Sequence, residues 1–366
     1  MTSNEAPCYR IDFALTVLAG NLSRYQMLRP LVESDSTVRA RWYPLRTWVP
    51  NDPLRFLPSS IRVRARNVLD SLPLFLRPPG DAVVLHAFET YYLFVLFDRL
   101  LRRNTVIVEN NDAAVAGNPK GVARSLCRFA VKRTDLFVPF SQWAGSRTKT
   151  EFPEIPSHRI RPLHPGIVLD QWPFRPTSAA KNPFGLLFVG GDLVRKGIEY
   201  LLDAHEQSLH QTCELHIATQ SSYLSPTLKH RIINLPHVTL HLDLLPGSEK
   251  IRQLYAQSDA FVLPTLGDAS PWVALEAMAT GVPVIICPHG GIPDIVQDGA
   301  TGLLIPPRDA NAIVNAVDRL RQDPMLRERL TVQARAHVEN NFDAVKNTKC
   351  FLDEIKAIID ERRRGA

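Results

Sequence analysis

The second half of the chain switches hydrophobic period repeatedly, and this constrains its fold more than any other feature. Short apolar runs at Gly185–Val189, Glu214–Ala218, Val238–Leu242, Ala260–Leu263 and Val284–Ile286 suit buried strands. Between or after them come stretches of helical spacing at Ile198–Glu206, Glu249–Gln257, Pro271–Thr280 and Ala310–Arg321. Strands this apolar need cover on both faces, and interleaved helices supply it. The pattern therefore predicts a parallel sheet between helical layers. The first half shows a weaker version: Phe13–Leu18 ending at Gly20, helical spacing over Leu22–Val32, then β-type runs at Val83–Leu85, Val106–Val108 and Leu136–Val138. The expected class is α/β, with two Rossmann-like parallel-sheet domains.

Two domains also follow from size, because 366 residues exceed the ~250–300 that one core takes. Asp170–Phe184 carries Pro173, Pro176 and Pro183, which continue neither a helix nor a central strand. The expected division is 1–170, a linker at 171–184, and 185–344. Val345–Arg363 then forms a final helix, with Phe351, Leu352, Ile355, Ile358 and Ile359 on one stripe.

Apolar runs such as Tyr91–Phe97 are far short of the ~18 residues of a membrane span, which excludes an integral helical membrane protein. Arg10 before Phe13–Gly20 has the outline of a signal peptide, but Asp12 interrupts it, and a buried first strand is the reading adopted. The five cysteines stand singly, without a CxxC pair, so a structural zinc site is not expected and a reducing, cytoplasmic setting is. The net charge of +6 is uneven: up to residue 176 there are 24 Lys and Arg against 15 Asp and Glu, and afterwards 19 against 22. A basic first half and a mildly acidic second half suit different partners.

The densest chemistry runs from Pro264 to Pro307, PTLGDASPWVALEAMATGVPVIICPHGGIPDIVQDGATGLLIPP. A strand ends in a Pro/Gly loop, and a helix begins near Ser270–Pro271–Trp272, with Ser270 as expected N-cap. Such a helix start lies at the carboxyl end of the sheet, where its free amides and dipole favour a phosphate. Asp268 precedes the helix and Glu276 lies within it, placed to hold a sugar's hydroxyls. Gly290 and Gly291 follow the next strand and allow backbone amides close to a ligand. A third loop, FVGGDLVRKG, puts Gly190 and Gly191 after a strand and Arg195 and Lys196 before a helix, where two cations neutralise a diphosphate without a metal. No Walker A loop, first-strand GxGxxG, Ser/His/Asp triad or metal-ligand cluster occurs.

With FVGGDLVRKGIEYLLDA, LYAQSDAFVLPT, the carboxylate pair eight apart and GGIPDIVQDGATGLLIPP, residues 185–307 resemble the retaining family 4 glycosyltransferases of the GT-B fold. The resemblance implies two Rossmann-like domains facing a central cleft, a nucleoside-diphosphate sugar as donor and co-substrate, and metal-independent hexosyl transfer. It also implies a last helix crossing back to the N-terminal domain, and an acceptor that is a glycan, a lipid-linked molecule or a small molecule. Glu276 resembles the acid on the ribose, Asp268 the acid facing the donor sugar, and Lys196 the lysine on the diphosphate. Asp294 stands for a commoner Glu. Gly191 takes the place of an arginine, which makes Arg195 a candidate substitute. TDLFVPFSQWAGSRT resembles the end of the family's N-terminal domain, Gly20 its glycine loop, and His86 one of its two active-site histidines. Asn110, Asn111 and Asp112 are acceptor-side candidates, and base contacts are expected near Leu242–Gly247.

A sugar-nucleotide epimerase of the same fold and a non-catalytic nucleotide- or glycan-binding module are the alternatives. Residues 39–77 hold eight arginines, among them Arg39, Arg41, Arg62, Arg64, Arg66 and Arg77, interleaved with Trp42, Trp48, Phe56, Leu57, Ile61, Leu74 and Phe75. This fits either a solvated basic face or contact with an anionic membrane surface at the inner leaflet. Nucleic acid is not expected as a partner, since no recognition motif accompanies the charge.

Overall fold

The computed structural model describes residues 8–17, 22–46, 56, 69–70, 72–86, 94–98, 101, 104–111, 121–175 and 182–365. Two compact units divide the chain: 1–165 together with 345–366, and 166–344.

The first unit is built on a five-stranded parallel sheet: β1 (Tyr9–Val17), β2 (Val38–Arg46), β3 (Ala82–Leu85), β4 (Val106–Asn111) and β5 (Leu136–Pro139), in the order β2-β1-β3-β4-β5. Alternate strand residues enter two cores. Val83, Leu85, Ile107 and Phe137 face one, while Val84, Val106, Val108 and Val138 face the other. The second core is completed by Phe351, Leu352, Ile355 and Ile359 of the helix Ala344–Gly365. Polar ties hold that helix within and just beyond its contact: Lys356 Nζ lies 2.5 Å from Asp35 Oδ2, and Arg362 Nη1 donates to Thr105 O at 2.7 Å.

Asp12 has a folded-state reason for interrupting the first apolar run. It is fully buried, pairs through both oxygens with Arg41, its register partner on β2, and accepts from Gly80 N at 2.8 Å. A buried carboxylate is tolerable only with such partners. The strand β2 has no counterpart among the sequence expectations, because its arginines and Pro44 hide the alternation. It is an edge strand, where both proline and charge are accommodated. Trp42 on β2 stacks on Phe13 at 4.4 Å and Leu74 is buried, so these two belong to packing and not to an exposed apolar face. Phe56 and Leu76 are exposed; Trp48, Leu57, Ile61, Arg62, Arg64 and Arg66 lie outside the described residues.

The second unit carries a six-stranded parallel sheet: β6 (Phe184–Val189), β7 (Cys213–Thr219), β8 (Val238–Leu242), β9 (Ala260–Leu263), β10 (Val284–Ile286) and β11 (Leu303–Leu304), ordered β11-β10-β9-β6-β7-β8. One continuous core lies around it. The reversal of strand order between β6 and β9 makes the carboxyl ends of those two strands the switch point where ligands of such sheets bind.

A single device aligns strands in both units. Asp135 and Asp259 directly precede β5 and β9, and each carboxylate accepts the amide of the neighbouring strand, Ile107 and Gly185, at 2.8 Å. The hydroxyl just before each Asp, Thr134 or Ser258, donates to the carbonyl four residues back. TDLFV and SDAFV are thus structural signatures of a strand's entry.

The units divide at 165/166, ahead of the proline-rich stretch expected as linker. Residues 166–175 lie on the second unit: Ile167 exchanges backbone bonds with Phe342 and Ala344, Trp172 is buried edge-on to Tyr255, and Arg175 N donates to Thr280 O. Residues 176–181 are outside the described set.

Candidate functional site

The site is built at the carboxyl ends of β6, β9 and β10. After β6, Gly190 N still donates to Ala218 O, and the chain then turns through Gly191 and Asp192 (φ 44°). It enters the helix Ile198–Gln207 through Gly197, whose φ is +75°. A Cβ on Gly197 would lie 1.9 Å from Pro264 O, so the glycine loop is pressed against the exit of β9 as no other residue allows. That approach delivers both cations. Arg195 Nη1 donates to Gly267 O at 2.6 Å and its Nε to Asp192 Oδ2 at 2.8 Å, while Leu266 N donates to Arg195 O. Lys196 Nζ pairs with Asp268 Oδ2, and the two side chains are only 11% and 13% exposed. An ion pair this enclosed is no solvated turn. Its ammonium still has further donors for a second anion.

The helix Trp272–Thr280 starts one residue later than expected. Pro271, not Ser270, is its N-cap, and no side chain caps the end, because Pro271 offers no acceptor. Ser270 is buried in the preceding turn, where its amide donates to Asp268 Oδ1 at 3.3 Å. Gly290 (φ +58°) approaches the same turn so closely that a Cβ would stand 2.2 Å from Asp268 O, and Gly291 N donates to Ala269 O. Three loops therefore converge on Asp268–Ser270, beside a helix start whose dipole attracts negative charge.

Glu276 lies deeper in the same helix. Burial pushes its carboxyl up to about 7, and a hydrogen bond from Tyr255 OH to Oε2 at 2.9 Å pulls it back only in part. Tyr255, fully buried, also reaches Val273 O at 3.1 Å. Its one proton cannot serve both acceptors fully. Sequence reading missed this partner, although Tyr255 lies inside LYAQSDAFVLPT. Two further buried polar atoms near strand ends, Thr219 Oγ1 and His289 Nε2, have no hydrogen-bond partner among the described residues.

Gly191 faces an aromatic ring: a Cβ there would meet Tyr223 Cε2 at 2.6 Å. An arginine in that place would displace the ring. In the first unit, His86 follows β3 at its carboxyl end, with its ring 6.2 Å from that of Phe140, which in turn lies 6.3 Å from His164. Asn110, at the end of β4, donates to Val138 O at 3.4 Å. Asn111 ends β4; Gly20 and Asp112 are outside the described residues.

Residues 183–323 match the family described as glycosyl transferases group 1. This segment is a member of that family. It contains all the converging loops above. The chain is 31% identical over 190 residues to glycogen synthase of Mycobacterium tuberculosis, a stretch that is 50% of this chain and 45% of the relative. The match thus spans about half the length of the curated relative. In three dimensions 96% of the chain overlays all of sucrose-phosphate synthase from Thermosynechococcus elongatus, with a TM-score of 0.75 at 19% identity. The Anabaena protein HepE, solved in complex with UDP and glucose, is overlaid along its whole length by 95% of this chain, with a TM-score of 0.67 at 16% identity. The group 1 segment and its partner unit share the GT-B fold.

Proposed function

We propose that the chain is a retaining glycosyltransferase that moves a hexosyl group from a nucleoside-diphosphate sugar to a glycan, lipid-linked or small-molecule acceptor. The observation that carries this reading is the Lys196–Asp268 pair joining two loops beside an uncapped helix start. The UDP and glucose of HepE support a nucleotide-sugar donor. The diphosphate binds along the glycine loop, its charge met by Lys196, Arg195 and the first amides of Trp272–Thr280. As the glycosidic bond breaks, negative charge grows on the leaving phosphate, and these preorganised groups stabilise it. Arg195 and Lys196 do the work a divalent metal does elsewhere. Glu276 accepts from the ribose once ionised, and Asp268 faces the donor sugar. The leaving phosphate oxygen takes the acceptor's proton, so no protein nucleophile is required.

The first unit supplies the acceptor side, with His86 and Asn110 at strand ends. An anionic bilayer is part of the same reading, through exposed Phe56, Leu76, Arg39 and Arg77. No described helix is long and apolar enough to cross a membrane. Salt-sensitive flotation with anionic vesicles tests the bilayer contact. Release of nucleoside diphosphate from UDP-, GDP- and ADP-sugars, with and without acceptor extracts, tests the transferase. A site that binds donors without ever turning them over would favour the non-catalytic alternative.

A further inference from the structure

The geometry points to Tyr223 as the aromatic platform on which the donor's nucleobase stacks, an inference that rests on the nucleotide-sugar reading above. Tyr223 lies in the turn that leaves β7, and that turn is pinned. Ser221 donates to Asp243 Oδ1 from its amide at 2.8 Å and its hydroxyl at 3.0 Å, and Tyr223 N donates to Gln220 O. The ring lies against the Cα of Gly191, while the stem of Lys196 lies against Gly190, 3.4 Å from the place a Cβ would occupy. The two glycines thus form a flat strip between an ammonium stem and an aromatic ring. Yet 45% of Tyr223 remains exposed, so much of the residue is open to a ligand.

Position in the sheet selects the base over the sugar. Lys196, assigned to the diphosphate, and Asp268, assigned to the donor sugar, pair at the exits of β6 and β9. Tyr223 leaves from β7, on the side of β6 away from β9. Tyr223 therefore flanks the glycine loop on the side opposite to Asp268, the side on which a diphosphate that turns its sugar toward Asp268 carries its base. A planar base stacked on an exposed phenol ring gains affinity with little dependence on its hydrogen-bonding edge.

The test is calorimetric titration of the full chain with UDP, GDP, ADP and inorganic pyrophosphate, using the wild type, Tyr223→Phe and Tyr223→Ala. The wild type should bind at least one nucleoside diphosphate. Tyr223→Ala should weaken that nucleotide by about 5- to 150-fold. Tyr223→Phe should retain it, and pyrophosphate should bind all three proteins alike. Because nearly half of the residue is exposed, melting temperatures should stay close together. Unchanged nucleotide affinity in Tyr223→Ala, or equal losses for nucleotide and pyrophosphate, would overturn the stacking role while leaving the donor site standing. A wild type that binds none of the nucleotides would instead sink the donor reading, and this inference with it.

Discussion

Glu276 and Lys196 carry the sharpest consequences at the level of single residues. A carboxyl raised to about 7 in the fold, against an ordinary value of 4.5, ionises later folded than unfolded. Its contribution to stability is intact below about pH 4.5 and is lost as pH rises through 7, by up to about 3 kcal/mol. Glu276→Gln should flatten that fall in urea titrations between pH 5 and 7.5; an identical slope in both proteins would refute the assignment. Donor affinity should run the opposite way, rising with pH as the carboxylate forms, and this rise should also vanish in Glu276→Gln. Lys196→Ala should reduce turnover by ~10²–10³ with a smaller effect on melting temperature. Unaltered turnover would remove the lysine from the diphosphate. The motifs around them single both residues out in the sequence, and the family resemblance supplies their roles. Tyr255 was not, because it lies 21 residues before Glu276 and only the fold joins them. Arg41 was misread for a similar reason. It looked like part of a basic surface, and it neutralises buried Asp12 across two strands.

Elements were readable where local chemistry and burial agree. The strands β8, β9 and β10 and the helix Glu249–Gln257 have the bounds that period and capping residues indicate. The strand β2 was hidden by its edge position, which lets charge replace alternation. The helices Pro226–Asn234 and Pro324–Asn341 have good entry signals, a capping Ser225 or Asp323 followed by proline, that went unread. Loop geometry depends on approaches that no local pattern encodes. Gly197→Ala should cost about 2–4 kcal/mol, combining left-handed strain with a clash on the Pro264 carbonyl. Gly299→Ala, at φ +67° with nothing within 4 Å, should cost only about 1–2 kcal/mol. Denaturant midpoints compare the two directly. Equal losses would mean that the packing of the glycine loop on β9 is not the constraint described.

At the scale of the whole chain, size and period led to two sheets and the stripe on 345–363 to a last helix, while the family resemblance implied its return to the first unit. The point of division was harder to place. Proline density marked 171–184, whereas Trp172 and the backbone bonds of Ile167 attach the preceding residues to the second unit. Burial of one tryptophan outweighs composition there. We propose that the second unit holds the diphosphate of the donor, with Lys196 and Arg195 in place of a metal. The most direct measurement is thermal denaturation with UDP, GDP, ADP and their sugars in excess EDTA. One nucleotide at about 100-fold its dissociation constant should add about 2.7 kcal/mol of stability. That gain should fall away in Lys196→Ala. No shift with any nucleotide, or a shift that appears only when Mg²⁺ or Mn²⁺ is restored, would contradict it.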